Sequence, residues 1–239
     1  MYTIYKNYKT IAYFVKIDFG YYLIKIIYMN KKLLNEKEII ESIQLLGRTY
    51  PDAGCELKYD SVFHLLIAVC LSAQTTDASV NKISPALFER YNNPESLASA
   101  DIEEVEGIIK SIGLYKNKSR NIIALSKMLV DDFNGEVPDN YDDLIKLPGV
   151  GRKTANVVMA EAFGEQRIAV DTHVFRLANR IGFCDEPTPE KTESALKKCI
   201  PHDMWTRAHH LLIFHGRRCC TARKPNCGEC PIARICGHN

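Results

Sequence analysis

Lys153 and Asp171 stand eighteen residues apart, each at the head of an apolar-patterned stretch, and an amine and a carboxylate so placed can carry out covalent chemistry together. Lys153 follows the turn Pro148-Gly149-Val150-Gly151-Arg152. Glycines at 149 and 151 let the backbone take positive φ and approach a ligand without a Cβ in the way, and the open N–H groups of the helix that follows can bind an anion. The natural guest is a DNA phosphate, a contact that positions a protein on a duplex and reads no bases. A plain connection between two helices would carry the same turn. In the first helical turn and beside Arg152, Lys153 faces the positive end of the helix dipole, which favours the neutral, nucleophilic amine. Elsewhere an exposed lysine is a solvated charge. Asp171, in "IAVDTH", occupies an N-cap position, where a carboxylate accepts backbone N–H bonds and where a helix cap is also its simplest role.

A second group of reactive side chains closes the chain. Cys220, Cys227, Cys230 and Cys236 form a C-x6-C-x2-C-x5-C array. Four thiolates this close can wrap a cubane iron–sulfur cluster or a tetrahedral zinc, and the spacing alone favours neither. Disulfides are the blander alternative. Nine cysteines, an odd number with the last five crowded at the C-terminus, do not resemble a secreted disulfide framework and fit a reducing, intracellular setting. His209, His210 and His215 lie just ahead of the array, but among Leu211, Leu212 and Phe214 they read as packed or hydrogen-bonded side chains rather than ligands. Cys55, Cys70, Cys184 and Cys199 read as small buried apolar residues.

These groups need a scaffold, and the pattern predicts helices. The 239 residues, 46% hydrophobic and 25% charged, suit a globular chain of one domain or two small ones. The net charge of +2 excludes nothing, but Arg217, Arg218, Arg223, Lys224 and Arg234 against Glu229 make the C-terminal stretch a basic face suited to a polyanion. Residues 61–73 are apolar nearly all round, as in a helix at the centre of a bundle. Asp101 with Glu104 predicts a capping box and a helix that Gly113 stops; "RNIIALSKMLVDDFNG" ends at Asn134-Gly135; Thr188-Pro189 opens a helix to about Cys199. Tyr141, Leu144 and Ile145 face one side of a short helix before the glycine turn. Residues 1–28, crowded with Tyr, Ile and Lys and lacking caps, read as a non-core extension or a mis-assigned start ahead of Met29. No cleavable signal or bilayer span stands out there, since Lys16 and Lys25 interrupt the apolar runs.

Together "LPGVGRKTANVV", the following "IAVDTH" and the terminal cysteine array resemble the endonuclease III family of DNA base-excision glycosylases, in the helix-hairpin-helix superfamily, from about Met29 to the C-terminus. The resemblance implies that Lys153 is the nucleophile and Asp171 its charge-bearing partner. It implies one structural 4Fe-4S cluster on Cys220, Cys227, Cys230 and Cys236, with Cys219 outside the set because it would lengthen the first gap to seven. The first gap holds Arg223 and Lys224, so the cluster would brace a basic loop on DNA. Gln74 in "LSAQTTD" resembles the family's polar plug and Leu114 in "GLYKNKS" its apolar wedge, both filling the space of a flipped base, while Asp77 would line the base pocket.

The expectation is therefore an all-α protein with a six-helix domain over 55–165 and a second, cluster-bearing domain from 29–54 and 166–239. It would act as an intracellular, nucleoid-associated monomer on double-stranded DNA containing a damaged base or an abasic site. It would remove damaged, oxidised pyrimidines and cut the strand by β-elimination, with Gly149, Gly151, Arg152, Arg223, Lys224, Gln74 and Leu114 on the DNA. Two rivals remain. One is an adenine glycosylase of the mismatch type, which shares the cluster and the aspartate but normally lacks the lysine. The other is a non-catalytic helix-hairpin-helix module in which Lys153 only touches phosphate.

Overall fold

The computed structural model describes residues 32–238, and ahead of them the backbone of three strands, β1 (Tyr2–Asn7), β2 (Thr10–Ile17) and β3 (Gly20–Tyr28). The strands form one antiparallel sheet in the order β1-β2-β3, with Asn7 opposite Thr10 and Ile17 opposite Gly20. This segment, expected as a loose tail if it belongs to the protein at all, is thus strand-forming, in keeping with its Tyr- and Ile-rich, β-prone composition. Met29, the alternative start, lies outside the described residues, as does Asn239.

From Glu36 onward the protein is all-α. Eleven helices follow in order: α1 (Glu36–Thr49), α2 (Val62–Leu71), α3 (Asp77–Arg90), α4 (Pro94–Ala98), α5 (Ile102–Ile109), α6 (Tyr115–Phe133), the single-turn α7 (Tyr141–Leu144), α8 (Arg152–Phe163), α9 (Thr172–Ile181), α10 (Pro189–Cys199) and α11 (Trp205–Arg218). Side-chain caps start most of them, from Asn35, Ser61, Thr76, Asn93, Asp101, Asn140, Asp171 and Thr188. Two starts differ from the sequence reading. Asp101 accepts from the N–H groups of Glu103 and Glu104, but the Glu104 carboxylate turns away to Arg90 and the Tyr91 hydroxyl, so no reciprocal box forms there. Reciprocal boxes lie instead at Asn35, whose side chain bonds Glu38 N–H while Glu38 bonds back, and at Asn93, which exchanges the same pair of bonds with Ser96. Helix α5 also ends at Ile109, four residues before Gly113.

The buried apolar side chains gather into two cores. One runs from Leu57 to Met159 and is built on α2, every residue of which from Phe63 to Leu71 is buried, with α3, α6 and α8 packed against it. It takes in six helices and the one-turn α7. The other joins the two ends of the described chain, combining Leu34, Ile39, Ile43 and Leu46 with Val174, Leu177, Leu211 and Ile232. Helix α11 packs against both α1 and α9 here. The chain ends meet closely: Leu34 N–H bonds the Gly182 carbonyl at 2.8 Å, and Gly237 N–H bonds the Ile181 carbonyl at 2.8 Å. A Cβ on either Gly182 or Gly237 would collide with the Lys32 carbonyl.

Candidate active site and cluster loop

Helix α7, the turn and α8 form the expected hairpin, but its two glycines do different work. Gly149 has φ +80°, and a Cβ there would also press on Asn121 of α6 at 3.0 Å. Gly151 is an extended N-cap with φ −98°, so positive φ is needed only at Gly149. What Gly151 supplies is open space, since a Cβ there would meet nothing within 4 Å. No side chain caps α8, so its first N–H groups face outward for an anion. Ile145, expected on one face of the short helix with Tyr141 and Leu144, is 42% exposed at the end of α7, whereas Leu144 is buried.

Lys153 lies exposed in the first turn of α8, while Asp171 caps α9, its Oδ1 accepting from Val174 N–H at 2.7 Å. His209 on α11 ties these two helix starts together. It is 5% exposed, and its ring is influenced by the backbone of Ala169, two residues before Asp171, and by the charge of Lys153. Burial, reinforced by His210, Lys153 and Arg217, holds it well below the ordinary histidine range, so it is neutral. Arg217, about two turns further along α11, is influenced by the Asp171 charge and pairs with Glu56 and with Asp77 Oδ2 at 2.9 Å. Electrostatics thus links Lys153 to His209 and Asp171 to Arg217, and Arg217 in turn pairs with Asp77. Sequence reading missed His209 as a neighbour of Lys153, because the contact joins residues more than fifty positions apart.

The other predicted DNA contacts divide. Gln74 and Leu114 are exposed and left-handed, with φ 55° and 60°. Such a conformation costs a non-glycine residue of order 1 kcal/mol and is held only where the surroundings enforce it. One enforcing contact is the buried Lys118, whose Nζ donates to the Thr75 hydroxyl at 2.6 Å beside Gln74. Gln74, Leu114, Asn121 and Gly149 line one recess. Arg152 reaches across to the buried Glu193 of α10 at 3.2 Å, which spends part of its guanidinium on a protein partner. Arg217 and Arg218, counted with the basic face, are paired as well, Arg218 with Asp52 at 3.2 Å and over the Phe214 ring at 4.4 Å. Arg223 and Lys224 are exposed and make no ion pair among the described residues.

Cys220, Cys227, Cys230 and Cys236 line a single recess of ≈ 330 Å³, counted with its open mouth, and no carboxylate lines it. With Cys219 beside them the lining holds five thiols together with His215 and His238, and a recess so rich in soft sulfur donors fits an iron–sulfur cluster. Helix α9 grips the loop: Arg176 donates to the carbonyls of Gly216 and Cys220, and Arg180 to those of Thr221 and Ala222. Cys219 shares the recess, and its sulfur lies with those of Cys230 and a His215 nitrogen within 4.8 Å of one another. Its neighbour Cys220 is the more buried and lies 3.5 Å from an Arg180 N–H group. Cys219→Ser is expected to retain about four irons per chain, the content of a cubane, and Cys220→Ser to lose iron; colorimetric iron assay checks both.

The remaining histidines and cysteines pack largely as expected. His210 bonds Glu161 at 2.7 Å and His215 the Tyr50 hydroxyl at 3.1 Å. Cys70 and Cys184 are buried, whereas Cys55 and Cys199 are only half-buried. Burial pushes the Cys70 thiol up to about 12 and that of Cys55 to about 11. No helix among the described residues is long and apolar enough to cross a membrane.

Residues 67–202 match the HhH-GPD superfamily of base excision DNA repair proteins, and residues 220–236, beginning at Cys220, match the iron–sulfur binding domain of endonuclease III. Endonuclease III of Bacillus subtilis (strain 168) is 48% identical over 205 residues, covering 85% of this chain and 94% of the relative. That of Escherichia coli (strain K12) is 46% identical, covering 85% and 96%. A trapped endonuclease III–DNA covalent intermediate superposes with a TM-score of 0.83 at 49% identity, covering 86% of this chain and 97% of that one. A thermostable thymine-DNA glycosylase gives 0.74 at 25% identity, covering 84% and 96%. The protein binds DNA and carries one 4Fe-4S cluster. With the hairpin, the uncapped helix start and the thiol recess on one frame, the chain belongs to the endonuclease III family and is a base-excision DNA glycosylase with abasic-site lyase activity.

Proposed function

We propose that the protein removes oxidised pyrimidines from double-stranded DNA through Lys153 and Asp171, working as an intracellular, nucleoid-associated monomer. The observation that carries this reading is the pair of helix starts: Lys153 opens α8, Asp171 caps α9, and the neutral, buried His209 touches the surroundings of both. The two hydrophobic cores support a division into a hairpin domain over 55–165 and a cluster domain from 29–54 and 166–239, with DNA lying across the cleft between them.

The damaged base leaves the stack and enters the cleft, and Gln74 and Leu114 fill the gap from their left-handed loop tips. Lys153 Nζ attacks C1′ of the sugar, the C1′–N bond breaks, and the base departs with a proton. Asp171 stabilises the positive charge that grows on the sugar and takes up the amine proton, while its Oδ1 stays anchored by Val174 N–H. The sugar opens to a Schiff base. The iminium then acidifies C2′, whose proton is lost as the 3′ phosphate leaves, and water releases Lys153 from the cleaved strand. The thiolates of Cys220, Cys227, Cys230 and Cys236 would hold the cluster, and their ligation would fix the loop that bears Arg223 and Lys224.

Borohydride added during turnover reduces the imine, so wild-type protein is expected to become covalently joined to a duplex bearing an oxidised pyrimidine. Across duplexes each carrying one lesion, the adduct should form fastest with oxidised pyrimidines; faster trapping on guanine-mispaired thymine or on a pyrimidine dimer would reassign the substrate. An adduct on no damaged base, with nicking of abasic DNA intact, would leave only the lyase.

Affinity should be largely electrostatic, falling with salt at about −0.9 in log K per neutralised phosphate. Replacing both Arg223 and Lys224 by Ala is expected to flatten that slope by about 2 contacts' worth and leave lesion preference unchanged. Fluorescence anisotropy at several salt concentrations measures it, and an unchanged slope would remove the cluster loop from the DNA.

A further inference from the structure

We propose that Tyr50 and His215 form a fixed hydrogen-bond relay onto the Cys230 thiolate that sets how easily the cluster changes oxidation state. The His215 ring lies between the two groups, with Nδ1 3.1 Å from the Tyr50 hydroxyl and Nε2 3.6 Å from Cys230 Sγ. Both rings are buried, His215 1% and Tyr50 7% exposed. A neutral imidazole carries one proton, and its partners decide which nitrogen holds it. A ligating thiolate only accepts, so the nitrogen facing Cys230 must carry the N–H. Nδ1 is then a bare acceptor, and the Tyr50 hydroxyl can fill it. The other tautomer would aim a lone pair at a thiolate, so Tyr50 locks the ring in the productive form as outer partners do around a metal.

The relay is rigidly mounted. Tyr50 ends α1, where its N–H bonds the Leu46 carbonyl at 2.8 Å, and α1 packs on α11, which carries His215. Donors to cluster sulfurs stabilise the more negative, reduced state and raise its potential. Arg180, 3.5 Å from Cys220 Sγ, is a donor of the same kind on another sulfur. His215 and Cys230 also belong to the three-donor group with Cys219, so direct ligation is the competing role for the same nitrogen. It excludes the relay, because Nε2 holds either a proton or a metal.

The inference rests on Cys230 as a cluster ligand, which Cys230→Ser tests by itself through loss of iron. For the relay, midpoint potential and iron content are measured on purified holoprotein. His215→Leu is expected to keep its iron and to lower the midpoint by about 59 mV, roughly a tenfold change in the oxidised-to-reduced ratio of a one-electron couple. His215→Gln, which returns an N–H near the Nε2 position, should restore most of the shift. Tyr50→Phe keeps the ring and its packing and should move the midpoint the same way by less. Full iron with a wild-type midpoint in His215→Leu overturns the relay, and iron loss in a folded His215→Leu makes His215 a ligand instead. Should His215→Leu not fold, an unshifted Tyr50→Phe is enough to overturn it.

Discussion

Lys153→Gln is expected to bind damaged DNA within about tenfold of wild type, the worth of roughly one contact of 1.4 kcal/mol, yet to lose at least roughly 10³-fold in rate, the scale of removing a covalent nucleophile. The variant should also give no borohydride adduct. Folding is not at stake, because Lys153 is exposed and has no ion-pair partner among the described residues, and surface substitutions of that kind stay within about 0.5 kcal/mol. The glycine turn and the uncapped start of α8 remain to grip phosphate, so a fall in rate without a fall in affinity separates nucleophile from clamp. Single-turnover cleavage beside anisotropy titration measures both. A rate loss no larger than the binding loss would return Lys153 to the phosphate and leave the covalent chemistry without an owner.

The second large effect belongs to Asp171→Asn. Asparagine caps a helix about as well as aspartate, so the bond to Val174 N–H and the start of α9 should survive. What disappears is the negative charge that the proposed mechanism sets against the sugar. Base removal is expected to slow on the order of 10²- to 10³-fold, the range of losing one electrostatic stabiliser of a transition state. Cleavage of a ready-made abasic site should slow far less, since its aldehyde accepts the amine with no base to expel. The ratio of the two single-turnover rates is the measurement, and equal losses on both substrates would mean that Asp171 serves helix geometry rather than charge.

Much of this was legible in the residues. Local signals gave the helices: Thr188-Pro189 opened α10 and Cys199 closed it, and Val174, Leu177, Ala178 and Ile181 all reached the core as their spacing predicts. The hairpin and the array of thiols were also readable, because each is a short run. What escaped depends on partners distant in sequence. Nothing near Arg217 announces Glu56 or Asp77, so it was counted as a free cation. Glu104 was assigned to its own helix start and went to Arg90 instead. The left-handed backbone of Gln74 and Leu114 is invisible to propensity, which disfavours it for both residues. The expected roles of Lys153 and Asp171 rest on the family resemblance, and helix-end physics makes them chemically reasonable without selecting them.

The core that joins both ends of the described chain has a consequence for synthesis on the ribosome. Leu34, Ile39, Ile43 and Leu46 emerge early, yet their partners Leu177, Leu211 and Ile232 are made more than a hundred residues later. The core from Leu57 to Met159 is contiguous and can close as it emerges, while the apolar face of α1 is covered, among the described residues, largely by partners made much later. At about 5–20 residues per second, that face waits on the order of ten seconds or more for α9 and α11. Gly237, which like Gly182 admits the Lys32 backbone, is made after all eleven helices, so the nascent chain carries an exposed sticky helix until α9 and α11 have emerged. Chaperone occupancy should concentrate in that interval, and a stop shortly before Ile232 should yield a folded hairpin region with an aggregation-prone N-terminus.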